Sequence, residues 1–232
     1  MSGPRVGAVT IGQTPRPDLL EPLLARIGTE AEVIEAGALD GLTRDELPSR
    51  RSLSGPDAHG VYPLTTWLRD GSSVTLDEAD LAPLVQAAIA RAEDAGAALT
   101  LLLCAGGFHD ATARRTLLRP FDAAVARLRA LGLRRIGVIV PYEGQVEAAR
   151  RKWQAAGFDA TLLVGDPASL ALSADGDAVD ALVLDYVGHA SRVIDALQGR
   201  TALPVVDLGQ AGADAVAAVI ADQLGRPTVA AR

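Results

Sequence analysis

Short apolar runs, each followed by a segment of helical periodicity, recur along almost the whole chain, and no other feature restricts its fold so tightly. Arg5–Ile11, Glu32–Glu35, residues 98–104, Arg135–Val140, Ala160–Val164, Ala181–Asp185 and Pro204–Leu208 read as strands, because each is short, apolar and bounded by turn residues. Between them lie helical patterns. Leu19, Leu20, Leu23, Leu24 and Ile27 follow Pro17, which suits the first turn of a helix. Leu81, Leu84, Val85, Ile89 and Ala92 follow Asp77 as cap, and Gly96 ends that helix. Further helices are expected over Ala111–Ala130 (kinked at Pro120), 144–156, 190–198 and 210–224. Strands alternating with helices specify a parallel α/β architecture.

One stretch breaks the alternation. Residues 61–76 are rich in β-formers around Asp70-Gly71, a hairpin signal, and read as a β-hairpin inserted into the α/β pattern. The connection Ala36–Ser54 is expected to hold one short helix, with Thr43 and Glu46 as a capping pair. A second short helix is expected within 168–178, and a loose tail over Arg226–Arg232. Two similar βα series, before and after about residue 110, imply two apposed lobes with a cleft between them: 1–110 plus 208–232, and 111–207.

Composition narrows the function. The net charge is −7, and no basic stripe interleaved with aromatics appears, which argues against nucleic acid or an anionic membrane surface as partner. No run approaches the roughly 20 apolar residues of a membrane span. A single cysteine forms no internal disulfide, and no secretory signal pattern opens the sequence, so a cytoplasmic setting is expected. The histidines, His59, His109 and His189, are far apart and no cysteine–histidine cluster has zinc spacing. No G-x-G-x-x-G follows a strand, which leaves nucleotide binding without a motif.

The chemistry-bearing residues gather at four strand ends. They are Thr10, Gln13, Thr14 and Arg16; Cys104, Ala105, Gly106 and Gly107; Pro141, Tyr142 and Glu143; and Tyr186, Gly188 and His189. In a parallel sheet such ends share one edge, where ligands bind. Cys104, the lone thiol, is either a nucleophile or base there or a small buried hydrophobe. Arg16 suits a substrate carboxylate, where its fork matches two oxygens, or is a surface charge. His189 is a proton carrier or a helix-start support. His109 either lowers the thiol pKa or faces solvent in its loop; Tyr142 packs, and Glu143 starts a helix, unless substrate claims them. His59 is read as structural or exposed.

Gly7-Ala8-Val9-Thr10-Ile11-Gly12-Gln13-Thr14-Pro15-Arg16-Pro17-Asp18 strongly resembles the start of AroM-family proteins. So do residues 35–42, the Tyr62–Gly71 segment, Leu102–Phe108 and Gly137–Pro141. The resemblance covers about residues 5–225 and implies two pseudo-symmetric α/β lobes of the aspartate/glutamate racemase type. It also implies a cofactor-independent active site between the lobes. In that superfamily each lobe typically offers one cysteine, and the pair moves a proton across an α-carbon next to a carboxylate. This chain departs from the pattern. Asp185-Tyr186-Val187-Gly188 stands where relatives typically read Asp-Cys-x-Gly, and Ala105 stands where threonine is favoured.

The expected function is therefore isomerase-like or lyase-like chemistry on a small carboxylate-bearing molecule, without metal or cofactor. Proton transfer would centre on Cys104, with Tyr186 in place of the second thiol and His189 coupled to it. The alternative is a non-catalytic protein that binds a small acid in the same cleft. A homodimer is the assembly the resemblance suggests.

Overall fold

The computed structural model describes residues 3–28, 31–48, 62–170 and 179–223. Its elements run β1 (Arg5–Thr10), α1 (Pro17–Ile27), β2 (Glu32–Gly37), β3 (Pro63–Trp67), β4 (Ser73–Asp77), α2 (Glu78–Asp94), β5 (Leu99–Leu103), β6 (Thr116–Leu118) and α3 (Pro120–Ala130). The series continues with β7 (Arg135–Val140), α4 (Val146–Ala155), β8 (Asp159–Val164), β9 (Ala181–Leu184), α5 (Ser191–Gln198), β10 (Val205–Asp207) and α6 (Leu208–Gln223).

The strands form two parallel four-stranded sheets, ordered β2-β1-β5-β6 and β10-β9-β7-β8, and an antiparallel hairpin, β3-β4. Numbered by chain order within each sheet, both read second-first-third-fourth. The pseudo-symmetry is thus written into the topology. In each sheet the order reverses between the first and third strands, the place where open α/β sheets bind ligands.

Parallel strands covered on both faces are apolar throughout, and β5, with every residue buried, shows it. The inner faces of both sheets share one core with α1, α3, α4 and α6, around Leu23, Leu101, Leu128, Ile136, Val183 and Trp153. The outer face of the first sheet packs on α2 and the hairpin through Leu39, Leu64, Leu81 and Ile89. The outer face of the second sheet packs on α5 through Ile194 and Leu197. α6 follows β10 of the second sheet without a loop, yet packs on α1, α3 and β5. Gly212 permits that approach, since a Cβ there would stand 3.1 Å from Leu101 and 3.2 Å from Pro120.

Two expectations are corrected. The helix expected over Ala111–Ala130 is instead strand β6 followed by α3, because Thr116–Leu118 pairs with Leu99–Leu101 and Pro120 opens the helix rather than kinking it. The helix expected from 144 begins at Val146, after a 3₁₀ turn at Glu143–Gln145. The expected hairpin is present over Pro63–Asp77, its strands joined across Leu68–Ser72 with Gly71 at φ +82°. The short 3₁₀ helix at Arg44–Glu46 has the capping box of Thr43 and Glu46. His59, part of the 36–54 connection, the segment 171–178 and the tail beyond 223 lie outside the described residues.

No helix among the described residues is long and apolar enough to cross a membrane.

Candidate active site

The first and third strands of each sheet, β1, β5, β7 and β9, end on one cavity of about 250 Å³. Thr10 and Ile11, Leu103 to Ala105, Pro141 and Tyr142, and Asp185 to Val187 come from these four ends. Arg16 and Leu19 add a wall from the start of α1, and Leu64 to Trp67 of β3 line it from the hairpin. Cys104 and Tyr186 leave the third strands of their respective sheets and share this cavity.

Cys104 is 5% exposed. The Gly106 N–H donates to its Sγ at 3.2 Å. Burial pushes the thiol up from 9.0 to about 12, against the pull of that N–H and of Lys152 and with the push of the Glu78 and Asp185 charges. The loop behind the sulfur is held tightly. Phe108 has φ +38°, a conformation that is costly for a side chain of its size. Its N–H donates to Glu78 Oε1 at 2.9 Å, and its carbonyl accepts from Arg119 Nη2 at 3.2 Å. Two part-buried polar clamps thus hold the strained residue in place.

Tyr186 is also buried enough to keep its proton, which desolvation holds above the ordinary phenol range although Arg16 pulls it down. The residue before it anchors the strand end. Asp185 is 3% exposed; it accepts from Lys152 Nζ at 2.7 Å and from the Trp153 indole N–H at 2.9 Å. The same Lys152 ammonium donates to the Ala105 carbonyl at 2.8 Å and to Tyr62 Oη at 3.1 Å. One buried cation on α4 therefore ties together the residue after Cys104, the residue before Tyr186 and the approach to the hairpin. Its desolvation is offset by these bonds and by the faces of Tyr62, Phe121 and Trp153, 5.0–5.8 Å away.

The hairpin is fastened to both sheets' loops. Tyr142 Oη and Gln145 Nε2 each donate to the Pro63 carbonyl at 3.0 Å, and Tyr142 Oη also meets Thr65 Oγ1 at 3.2 Å. On the other side, the Gln13 N–H donates to the Trp67 carbonyl at 3.2 Å. Arg69 donates to Gln13 Oε1 and the Thr14 carbonyl at 2.8 and 2.9 Å.

The sequence-derived candidates divide accordingly. Thr10, Arg16, Cys104, Ala105, Pro141, Tyr142 and Tyr186 line the cavity. Arg16 reaches it with its fork already on Asp18, through Nε at 2.8 Å and Nη2 at 2.6 Å. Gln13 spends its side chain on the Leu39 and Leu42 carbonyls and the Arg69 N–H. Thr14 bonds Asp40 through both N–H and Oγ1. Gly106 serves through its N–H, and Gly107 lines a separate cavity behind the loop. Glu143 is exposed at the start of the 3₁₀ turn. Gly188 and His189 line a small void behind the main wall, where His189 Nδ1 meets Asp207 Oδ2 at 3.0 Å and its ring packs edge-on against Tyr186. His109 is exposed and lines the cavity that Gly107 borders.

Reasoning from sequence missed Thr65, Thr66, Gln145, Lys152 and Glu78. A signal existed only for the hairpin threonines, which lie in the β-rich run of the expected hairpin; Lys152 sits in a basic helix stretch, Arg150-Arg151-Lys152, that looks solvent-facing.

A family model described as AroM protein matches residues 6–222. No curated protein matches the chain. Among solved structures, arylmalonate decarboxylase is 19% identical with a TM-score of 0.62, covering 94% of this chain and 92% of that one. A maleate isomerase from Pseudomonas putida is 16% identical with a TM-score of 0.61, covering 97% and 94%. A Picrophilus torridus aspartate racemase is 13% identical with a TM-score of 0.56, covering 98% and 96%. At such identities the likeness is one of fold, and the fold is of the aspartate/glutamate racemase type.

Proposed function

The chain belongs to the AroM family, and from that footing we propose that it is a cofactor-independent lyase that decarboxylates a small carboxylate-bearing molecule, with Cys104 delivering a proton to the carbon that loses CO₂. One observation carries this choice among racemisation, isomerisation and decarboxylation: the cavity holds two neutral acids. Burial pushes the Cys104 thiol up to about 12, which keeps it protonated at pH 7. Tyr186 is higher than an ordinary phenol. Racemisation needs a base on one face at the outset; protonation of a carbanion needs an acid.

The step balances simply. The bond between the α-carbon and one carboxyl group breaks, its electron pair passes to an enolate of the remaining carbonyl group, and CO₂ leaves. The S–H bond of Cys104 breaks as a C–H bond forms at the α-carbon, and the thiolate regains a proton from water. Ile11, Leu19, Leu64, Leu103 and Val187 give the cavity an apolar wall, against which a carboxylate is poorly solvated and neutral CO₂ is not. The Arg16 guanidinium and the Thr10 hydroxyl are the groups on the wall suited to the carboxylate that stays. Tyr186 donates a hydrogen bond to the developing enolate oxygen.

The test is a panel of substituted malonates and other small dicarboxylates incubated in D₂O. CO₂ release with one deuterium in the product supports the reading; a fully active Cys104→Ala variant defeats it. Tyr186 and Ala105, standing where the resemblance implies a second thiol and a threonine hydroxyl, favour the second reading, a protein that only binds a small acid. Calorimetric binding across the panel with no turnover, equal in Cys104→Ala and native protein, would establish that instead.

A further inference from the structure

The inserted hairpin reaches the proposed substrate cavity through β3, whose residues alternate in direction. Leu64 packs with Leu76 and Leu81 on the first sheet, and Thr65 turns the other way, to Tyr142 of the β7 loop. Thr66 therefore faces the first-sheet side again, where it is 2% exposed and lines the cavity. Its hydroxyl makes no hydrogen bond among the described residues. The sealed side-chain atoms without a partner there are Glu78 Oε2 and Arg119 Nε, so Thr66 Oγ1 keeps an open face, and the space it lines is the cavity. Gly12 is what lets the hairpin come this close. A Cβ at that position would run into Thr66 Oγ1 and stand 2.6 Å from the Trp67 carbonyl oxygen. The Gly12 N–H donates in turn to Thr10 Oγ1 at 3.3 Å, so two threonine hydroxyls flank one glycine. Thr10 is buried like Thr66, and accepting from Gly12 leaves its own O–H proton to give.

We propose that Thr66 is a substrate-binding residue which the inserted hairpin adds to the cleft, donating together with Thr10 to the carboxylate that stays on the substrate. The inference rests on the proposed reading of the cavity as the seat of a small carboxylate. Arg16 brings charge to that end of the cavity, but its Nε and Nη2 are on Asp18, so its fork does not close on a carboxylate. Two hydroxyls supply the missing donors. Other polar side chains on the wall are engaged: Thr65 with Tyr142 and Thr75, Gln145 with the Pro63 carbonyl, and Asp185 with Lys152 and Trp153. A valine would fill the Thr66 place in the strand with no hydroxyl to desolvate, so the use of that hydroxyl lies in the cavity. The strand is also fixed in register. The Gln13 N–H holds the Trp67 carbonyl and Gln145 holds the Pro63 carbonyl, one at each end of β3. A slip of one residue would turn Thr66 away from the substrate.

The experiment is a calorimetric titration of the native chain and of Thr66→Val with methylmalonate and with propionate, the acid left when methylmalonate loses CO₂. Valine keeps the branched shape and removes the hydroxyl. Its Kd for both acids is expected to rise about tenfold or more, the weight of one hydrogen bond to a charged group, and Thr66→Ser to restore the native affinity. Thr66→Val is expected to unfold in urea no more easily than the native chain, since the lost hydroxyl bonds nothing in the free protein. Unchanged affinity in Thr66→Val, with or without a loss of stability, overturns the assignment. So does weakened binding of methylmalonate alone, which would put Thr66 on the departing carboxylate. Native protein that binds neither acid overturns it together with the reading of the cavity. Should Thr66→Val not fold, Thr66→Ala makes the same comparison. Loss of affinity without CO₂ release from any acid faults the proposed reaction and leaves Thr66 standing, whereas turnover with the native KM in Thr66→Val faults Thr66 alone.

Discussion

The two sheets share a strand order but finish their third strands differently. β5 ends in Cys104, and the loop beyond it is strained at Phe108 and clamped by Glu78 and Arg119. β9 ends in Asp185 and Tyr186, braced by Lys152 and Trp153 in front and by the His189–Asp207 pair behind. A pseudo-symmetric frame thus holds a thiol at one strand end and a phenol at the other. Symmetry of fold sets where the two groups stand. In the proposed reaction the difference favours chemistry that treats the two faces of a substrate unequally.

The sharpest way to break this comparison is to remove the two acids in turn. Cys104→Ala is expected to lower turnover on the responsive dicarboxylate about 10⁴-fold and Tyr186→Phe only about 10²-fold, the two ends of the usual span for a positioned acid; equal losses in steady-state kinetics would make the ends equivalent. Lys152 serves both ends, so Lys152→Met should not discriminate between them. It strands the buried Asp185 charge and is expected to cost about 3–5 kcal/mol in urea unfolding. A third test reads the cysteine end alone. Its thiol lies above its unfolded value, so the native state keeps a proton that the unfolded chain loses between about pH 9 and 12. Stability from this group is complete below pH 9 and falls by roughly 1.4 kcal/mol per pH unit through that window. Cys104→Ala should flatten the alkaline decline, and an unchanged slope counts against a buried thiol. Smallest is Tyr142→Phe, which unlatches the hairpin from the β7 loop by removing its bonds to Pro63 and Thr65, at about 1 kcal/mol by the same unfolding assay.

Much of the fold was legible because burial on both faces leaves an unbroken apolar run. β5, β7 and β9 announce themselves in this way, and with them the four strand ends that meet at the cavity. β6 did not, since three residues ahead of a proline carry no period, and only pairing with β5 makes Thr116–Leu118 a strand. The hairpin could be read from Asp70-Gly71, but its position over the cavity depends on Tyr142 and Gln145, some 80 residues away in the chain. Lys152 and Glu78 looked like ordinary helix charges, because whether a charge is buried is decided by packing rather than by local spacing. His189 was read as coupled to Tyr186; the rings do touch, yet Asp207 takes the nitrogen that a local reading left free.

The return of α6 to the first sheet has a consequence for how the chain is made. A ribosome releases β1, β5 and α1 long before residues 208–223, so the apolar surface that α6 will cover around Leu101 stays bare until the second sheet has also emerged. The early half cannot mature alone, and nascent chains stopped short of Leu208 are natural clients for chaperones that shield greasy surfaces.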